Sequence, residues 1–334
     1  MNRLTYLMPS SLLWVLCVIF SQATTQGASR EDWKIQPLLF EALTEPPCSY
    51  VSTEHRKGFV ENTDKVVAWL RGAHNGGAIP LRHFLAGPRI INDTYGLFFY
   101  DPEGGYVAAY KKDYGYSFYG WRKEVMLVKS KDGTVWSALS GRALEGPQEG
   151  KTLQRIPSMT TTWGNWLMLH PESTAYNLFK GDKYPVVELP DADAWSQQHS
   201  QKTQIIANDL VMGVESEDGQ MAFPLDLTRE RACYNDTLNK LPVTAFWYGP
   251  TQSSAAWIRQ VGDKILTFRA DDIAPETAPF MDNETNSRWT LAGRAVDGPL
   301  RGTELEWIPS IQCRAEAWMA EYPASTSFQP QTKP

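Results

Sequence analysis

The sequence predicts a mainly β fold with minor α, built from two homologous tandem β-rich modules, each a hairpin-rich sheet or barrel with one short C-terminal helix. Three observations lead there. The stretch "LSGRALEGPQEGKTLQRIP" at residues 139–157 returns as "LAGRAVDGPLRGTELEWIP" at residues 291–309, with nine of the 17 positions from Gly141 to Pro157 unchanged. Such a repeat is the mark of an internal duplication. Paired apolar runs are joined by Asn-Gly or Asp-Gly, whose tolerance of positive φ suits a tight hairpin. Strand-like runs also follow one another at about 8–12-residue spacing, which fits a sheet or barrel better than βαβ units.

From the N terminus, Arg3 supplies a basic start, residues 11–20 ("SLLWVLCVIF") are apolar, and Ser21-Gln22-Ala23 has the small-x-small form of a cleavage site. Residues 1–23 are therefore expected to be a secretory signal cut after Ala23, too short for a comfortable membrane anchor. The mature chain is expected to be exported, periplasmic or extracellular, with no membrane contact beyond that segment. Residues 24–61 read as an extension, 62–180 as the first module, 181–205 as a polar linker, 206–326 as the second module, and 327–334 as a disordered tail.

Within the modules, "VVAWLRGAHNGGAIPL" (66–81) and "LVMGVESEDGQMAFPL" (210–225) each read as strand, turn, strand. "EVMLVKSKDGTVWSALS" (124–140) repeats the scheme around Asp132-Gly133. Other landmarks recur in order. "AIPL" at 78–81 answers "AFPL" at 222–225, and Asn-Asp-Thr follows at 92–94 and 235–237. "FFYDPEGG" from Phe98 answers "FWYGPTQS" from Phe246, and "TVWSALSGRA" from Thr134 answers "SRWTLAGRA" from Ser287. Each module closes on a Trp five residues before a Pro, Trp166 and Pro171, then Trp318 and Pro323. The segments "TTWGNWLMLH" and "QCRAEAWMAE" are the helix candidates, each stopped by the next proline.

Composition narrows the function classes. The net charge of -6, without a lysine-arginine block, gives no reason to expect nucleic acid as a partner. Cys48, Cys233 and Cys313 lie outside the signal and form no C-x-x-C pair, so spacing gives no zinc site. One bridge with a spare thiol and three buried free thiols both fit.

Several residues are candidates for chemistry. In the repeated GRA-x-[ED]-GP-x-x-G motif, glycines permit tight turns, while Arg142 with Glu145 and Arg294 with Asp297 are placed to form ion pairs across the turn. Asn92-Asp93 and Asn235-Asp236 fit an Asx turn bonded to its own backbone, a pair of ligand-binding polar side chains, or glycan attachment; Asn283 opens a third N-x-[ST] site. His170 stands before Pro171, where a helix C-terminus favours a cation, and its counterpart is Tyr322. It reads as a capping residue or as a base peculiar to the first module. Asp93, Asp101, Glu103 and Glu145 lie near landmarks, and paired carboxylates are the machinery of glycosidic bond cleavage; Tyr100, beside Asp101, is a further binding candidate. The aromatic run at 110–121 fits either a core or a stacking surface. His55, His74, His83 and His199 form no ligand spacing, and no H-E-x-x-H, G-x-S-x-G, Walker or G-x-G-x-x-G motif occurs. No metal and no cofactor is expected.

The A-x-P-L segment, the N-D-T triplet, the Trp-Ser run into "GRALEGPQEG" and the W-x-x-W-x-x-x-H-P close from Trp163 to Pro171 together resemble domain of unknown function 3179. Many members of that family carry Cys-Pro-x-Cys after a tyrosine and a histidine before the N-D pair. Here Tyr100-Asp101-Pro102-Glu103 and Tyr248-Gly249-Pro250-Thr251 hold no thiols, and "GPRII" before Asn92 holds no histidine. The resemblance implies no activity. The favoured reading is an exported, non-catalytic protein binding a small molecule, glycan or protein between the modules. The alternative is an extracytoplasmic hydrolase using His170 or Asp93 and Asp101.

Overall fold

A computed structural model describes residues 30–37, 42–45, 49–51, 60–72, 75–81, 87–177, 210–216 and 219–327. The expected signal and linker, Cys48, and His55, His74, His83 and His199 lie outside the described residues. The fold is mainly β, with two short α-helices among the described residues.

Among the described residues, the first half holds three sheets. In one, Met159–Thr162, Lys65–Leu70, Gly76–Pro80 and Thr174–Asn177 lie side by side, with Ser49–Val51 at the edge. Only the Gly76–Pro80 and Thr174–Asn177 pair runs parallel there. Leu43–Thr44, Arg89–Asp93, Gly96–Asp101 and Tyr106–Tyr110 form the next sheet, and Trp33–Ile35, Ser117–Arg122, Val125–Lys129, Val135–Ser137 and Ala143–Glu145 the third. The residues expected to be an N-terminal extension thus supply edge strands.

The second half follows the same plan. Ser310–Arg314, Leu210–Ser216, Gly219–Pro224 and Thr326–Ser327 form its first sheet, and the last two again run parallel. Ser327, expected in the tail, pairs with Ala222 instead. Arg231–Leu238, Leu241–Tyr248, Ser253–Ile258 and Glu306–Trp307 form the second sheet, and Phe268–Ala270, Phe280–Asp282, Arg288–Trp289 and Ala295–Asp297 the third.

Local sequence explains these elements. Val125–Lys129 ("VMLVK") is β-branched and apolar on both faces, as a central strand requires, and its first four residues are buried. The hairpin after it turns through Gly133, whose φ of +91° costs a glycine little. Helix Trp163–Leu169 begins where the Thr162 hydroxyl accepts the Asn165 N–H, and it stops at His170 before Pro171. Helix Ala315–Glu321 stops at Tyr322 before Pro323, with Glu316 in its first turn facing the positive end of the dipole.

The halves interlock reciprocally. Met159–Thr162 of the first lies against Ser253–Ile258 of the second, and Ser310–Arg314 of the second against Tyr106–Tyr110 of the first. Polar bonds tie both joints: Arg314 N–H donates to the Gly104 carbonyl at 2.8 Å, and Ser253 Oγ bonds Thr161 Oγ1 at 2.8 Å. The cores are shared as well. Phe99, Tyr110 and Trp136 pack with Ile311, Cys313 and Trp318, while Met159 joins Phe246, Phe280 and Trp289. Each large apolar side chain so buried contributes about 1.5–3 kcal/mol, so separating the halves would expose much of what stabilises either.

Candidate functional site

The repeated motif forms a loop seated on an aromatic ring in both halves. Gly141 and Gly293 have φ of +69° and +70°. A Cβ added there would come within 2.5 Å of the Tyr110 ring or 2.7 Å of the Trp257 ring. Tyr110 pairs across to Arg155, and Trp257 pairs across to Trp307, the residue that matches Arg155 in the repeat. The ion pairs expected within the motif do not form. Glu145 bonds Arg30, and Arg294 Nε lies 3.8 Å from Glu304. Asp297 accepts the Gly298 N–H at 2.8 Å, and Arg142 pairs through its backbone with Thr152 while its side chain is exposed. Positions three apart on an extended chain point to opposite faces, which keeps each arginine from its expected partner.

Each motif loop meets the helix of the other half, so the molecule has two equivalent junctions. The junction at Gly141 is closed by polar side chains. The Arg155 guanidinium lies 5.1 Å from the Tyr110 ring centroid, donates to the Leu139 carbonyl, and stands 3.9 Å from Glu215. The Tyr322 hydroxyl donates to Glu215 at 2.8 Å, and Tyr110 donates to Leu139 at 2.8 Å. Glu321 accepts from Arg122 and from the Ser140 hydroxyl. Burial raises the pKa of Tyr110 and of Tyr322 well above the ordinary phenol value, so both remain donors.

The junction at Gly293 is open. A cleft of about 810 Å³ lies between the end of helix Trp163–Leu169 and the second motif loop. The strand registers and the repeat match its residues to those of the closed junction. Trp307 replaces Arg155, Trp257 replaces Tyr110, and Leu70 replaces Glu215. Leu169 replaces Glu321, His170 replaces Tyr322, and Ala292 replaces Ser140. Rings run along one side. Trp257 and Trp307 stack at 5.5 Å, Trp307 lies 6.4 Å from Trp166, and Trp166 lies 4.2 Å from His170. Arg294, Arg301, Glu172 and Glu304 add exposed charged side chains to the lining. A volume of this size suits a small ligand.

Of the residues singled out in the sequence, His170 and Arg294 line this cleft and the others do not. His170 occupies the C-cap position of its helix, as expected, and also faces the cleft. Asn92 is fully buried and bonds neither its own turn nor an open site. Its amide accepts the Tyr116 N–H at 3.1 Å and donates to the Tyr116 carbonyl at 3.2 Å. Asn235 does the same to Phe268, at 2.9 and 2.7 Å. Each asparagine thus clamps the start of the third sheet to the second. The Asx turn belongs to Asp93, which accepts the Tyr95 N–H, and Asp236 accepts the Thr237 N–H.

Asp101 and Asp93 do not form a carboxylate pair. Asp93 stands opposite Gly96 at one end of a hairpin, and Asp101 ends the strand that Gly96 begins. Five residues of strand span roughly 17 Å, well beyond the about 5–9.5 Å of glycosidase carboxylates. Asp101 is fully buried and accepts the Glu103 and Met126 N–H groups at 3.0 and 2.9 Å. Burial pushes its carboxyl up to about 7, and the backbone bonds oppose that rise. Tyr100, beside it, is pushed up to about 12, first by burial and then by Asp101. Cys233 and Cys313 are free, and burial raises both thiols, which leaves neither a ready nucleophile. Among the described residues, no group of three or more His, Cys, Asp and Glu side chains is placed to hold a metal ion.

Sequence reasoning passed over Trp307, Trp257, Leu70, Ala292, Glu172, Arg301 and Glu304. A signal existed for Trp307, because "QRIP" and "EWIP" differ at two columns, and at one of them a charge becomes an indole. The family model described as "Protein of unknown function (DUF3179)" matches residues 121–325, and the chain belongs to that family. The match begins at Trp121, so the first copies of A-x-P-L and N-D-T, which carried part of the resemblance, precede it. No curated protein and no solved structure matches the chain.

Proposed function

We propose that this member of the DUF3179 family is an exported, non-catalytic binding protein that holds a small ligand in the cleft between its two halves. One observation carries the reading: two junctions with the same backbone plan differ in that one is filled by its own side chains and the other is left as an 810 Å³ cleft. The shared strand order supports descent of both halves from one duplicated β unit, and the "SLLWVLCVIF" run supports export. The exposed charges at the rim, set on loops rather than converging on one buried point, favour binding over catalysis.

The test is a fragment screen by ligand-observed NMR on the wild-type protein and on Ala292→Trp, which places an indole in the cleft. Fragments that bind the wild type are expected to lose binding in the variant, with melting behaviour preserved. Equal binding to both proteins, or no fragment bound by either, overturns the reading.

A further inference from the structure

Resting on that reading of the cleft, we infer that its ligand is a short neutral oligosaccharide. The argument starts from what the open junction lost. Where the closed junction holds Arg155, Glu215 and Glu321, the cleft presents Trp307, Leu70 and Leu169, so its interior carries none of those charges. Trp307, partly exposed and backed by the buried Trp257 ring inclined at 29° to it, offers an aromatic surface to a ligand with a flat C–H face. A pyranose has such a face, and its hydroxyls project around the edge.

The rim suits those hydroxyls. A sugar hydroxyl both donates and accepts, so it is best met by neighbouring carboxylates and guanidinium groups. Arg294 and Glu304 stand 3.8 Å apart with side chains 58% and 60% exposed, a weak surface pair that can turn to a ligand at little cost. Arg301 and Glu172 add one more of each sign. Two cations against two anions give no net field to attract a strongly charged ligand. A purely apolar ligand would bury rim charges without replacing their hydrogen bonds.

The experiment titrates the full chain with three neutral trisaccharides, of N-acetylglucosamine, β-linked glucose and α-linked glucose, following tryptophan emission and saturation-transfer NMR. Trigalacturonate and decanoate serve as anionic and apolar probes. At least one neutral trisaccharide is expected to bind saturably, and about tenfold or more weaker to Trp307→Ala and to Ala292→Trp. Circular dichroism identifies any variant that fails to fold, and Leu70→Glu, which restores the charge of the closed junction, then takes its place. Three outcomes overturn the inference: no neutral trisaccharide binds, binding is untouched by filling the cleft, or trigalacturonate or decanoate binds more tightly. If fragments bind the cleft and the trisaccharides do not, only the saccharide inference falls. If neither binds, the cleft reading falls with it.

Discussion

At one junction Arg155 lies under the Tyr110 ring, Tyr322 reaches Glu215, and Glu321 takes hydrogen bonds from Arg122 and Ser140. At the other, with the same strands, the same positive-φ glycine and the same Trp-to-Pro helix, indoles and leucines stand in those places around a cleft. The backbone plan is therefore not what opens the cleft. Six side-chain exchanges turn a polar lock into an aromatic-walled opening. A buried charge network holds its partners at fixed geometry, because breaking one member leaves another unpaired away from water. An apolar wall imposes no such geometry and leaves space for a guest.

The largest effect is expected from breaking the lock. Glu321→Leu copies the residue of the open side and leaves Arg122, whose side chain is 15% exposed, without its partner. The loss in urea denaturation should be about 3–5 kcal/mol, and Arg122→Met added to it should recover much of that. A loss below about 1 kcal/mol would mean the lock is no more than a surface pair.

A second difference between the halves concerns pH. Asp101 has Gly249 as its counterpart, so its buried carboxyl belongs to the first half alone. Its folded value of about 7 lies above the ordinary 3.8. The folded state thus favours the protonated form, and the stability this gives is complete below the ordinary value and lost as pH rises through 7. Between those values stability should fall by about 1.4 kcal/mol per pH unit. Asp101→Asn should flatten that slope in denaturation curves taken across the window. An unchanged slope would assign the pH dependence elsewhere.

The smallest difference is between the two clamps. Asn92→Ala strands the buried N–H and carbonyl of Tyr116 at about 1–3 kcal/mol, and Asn235→Ala should cost less because water reaches that half-buried side chain. Melting midpoints of the two variants compare them directly. A larger cost at Asn235 would reverse the ranking by burial.

Much of the β plan was legible in short windows. The hairpin at Asp132-Gly133 and both prolines that end the helices act through local backbone geometry, so their signal lies within a few residues. The clamps were not legible, because Asn92 and Asn235 bond backbone 24 and 33 positions away and an Asx turn was the nearer explanation. The ion pairs within the motif failed for a related reason: adjacency in sequence says nothing about which face of a strand a side chain takes.

Taken alone, the amino-acid order determined the main hairpins, where each helix stops, and that two stretches share one turn-rich motif, since these depend on φ preferences and apolar periodicity over short spans. Tertiary structure decided which of the two motif loops would be plugged. That choice rests on Glu215 reaching Arg155 in the other half and Tyr322 in its own, and on Leu70 and Trp307, from different halves, packing on one buried cluster; these residues lie far apart in the chain, and only the packed fold brings them together.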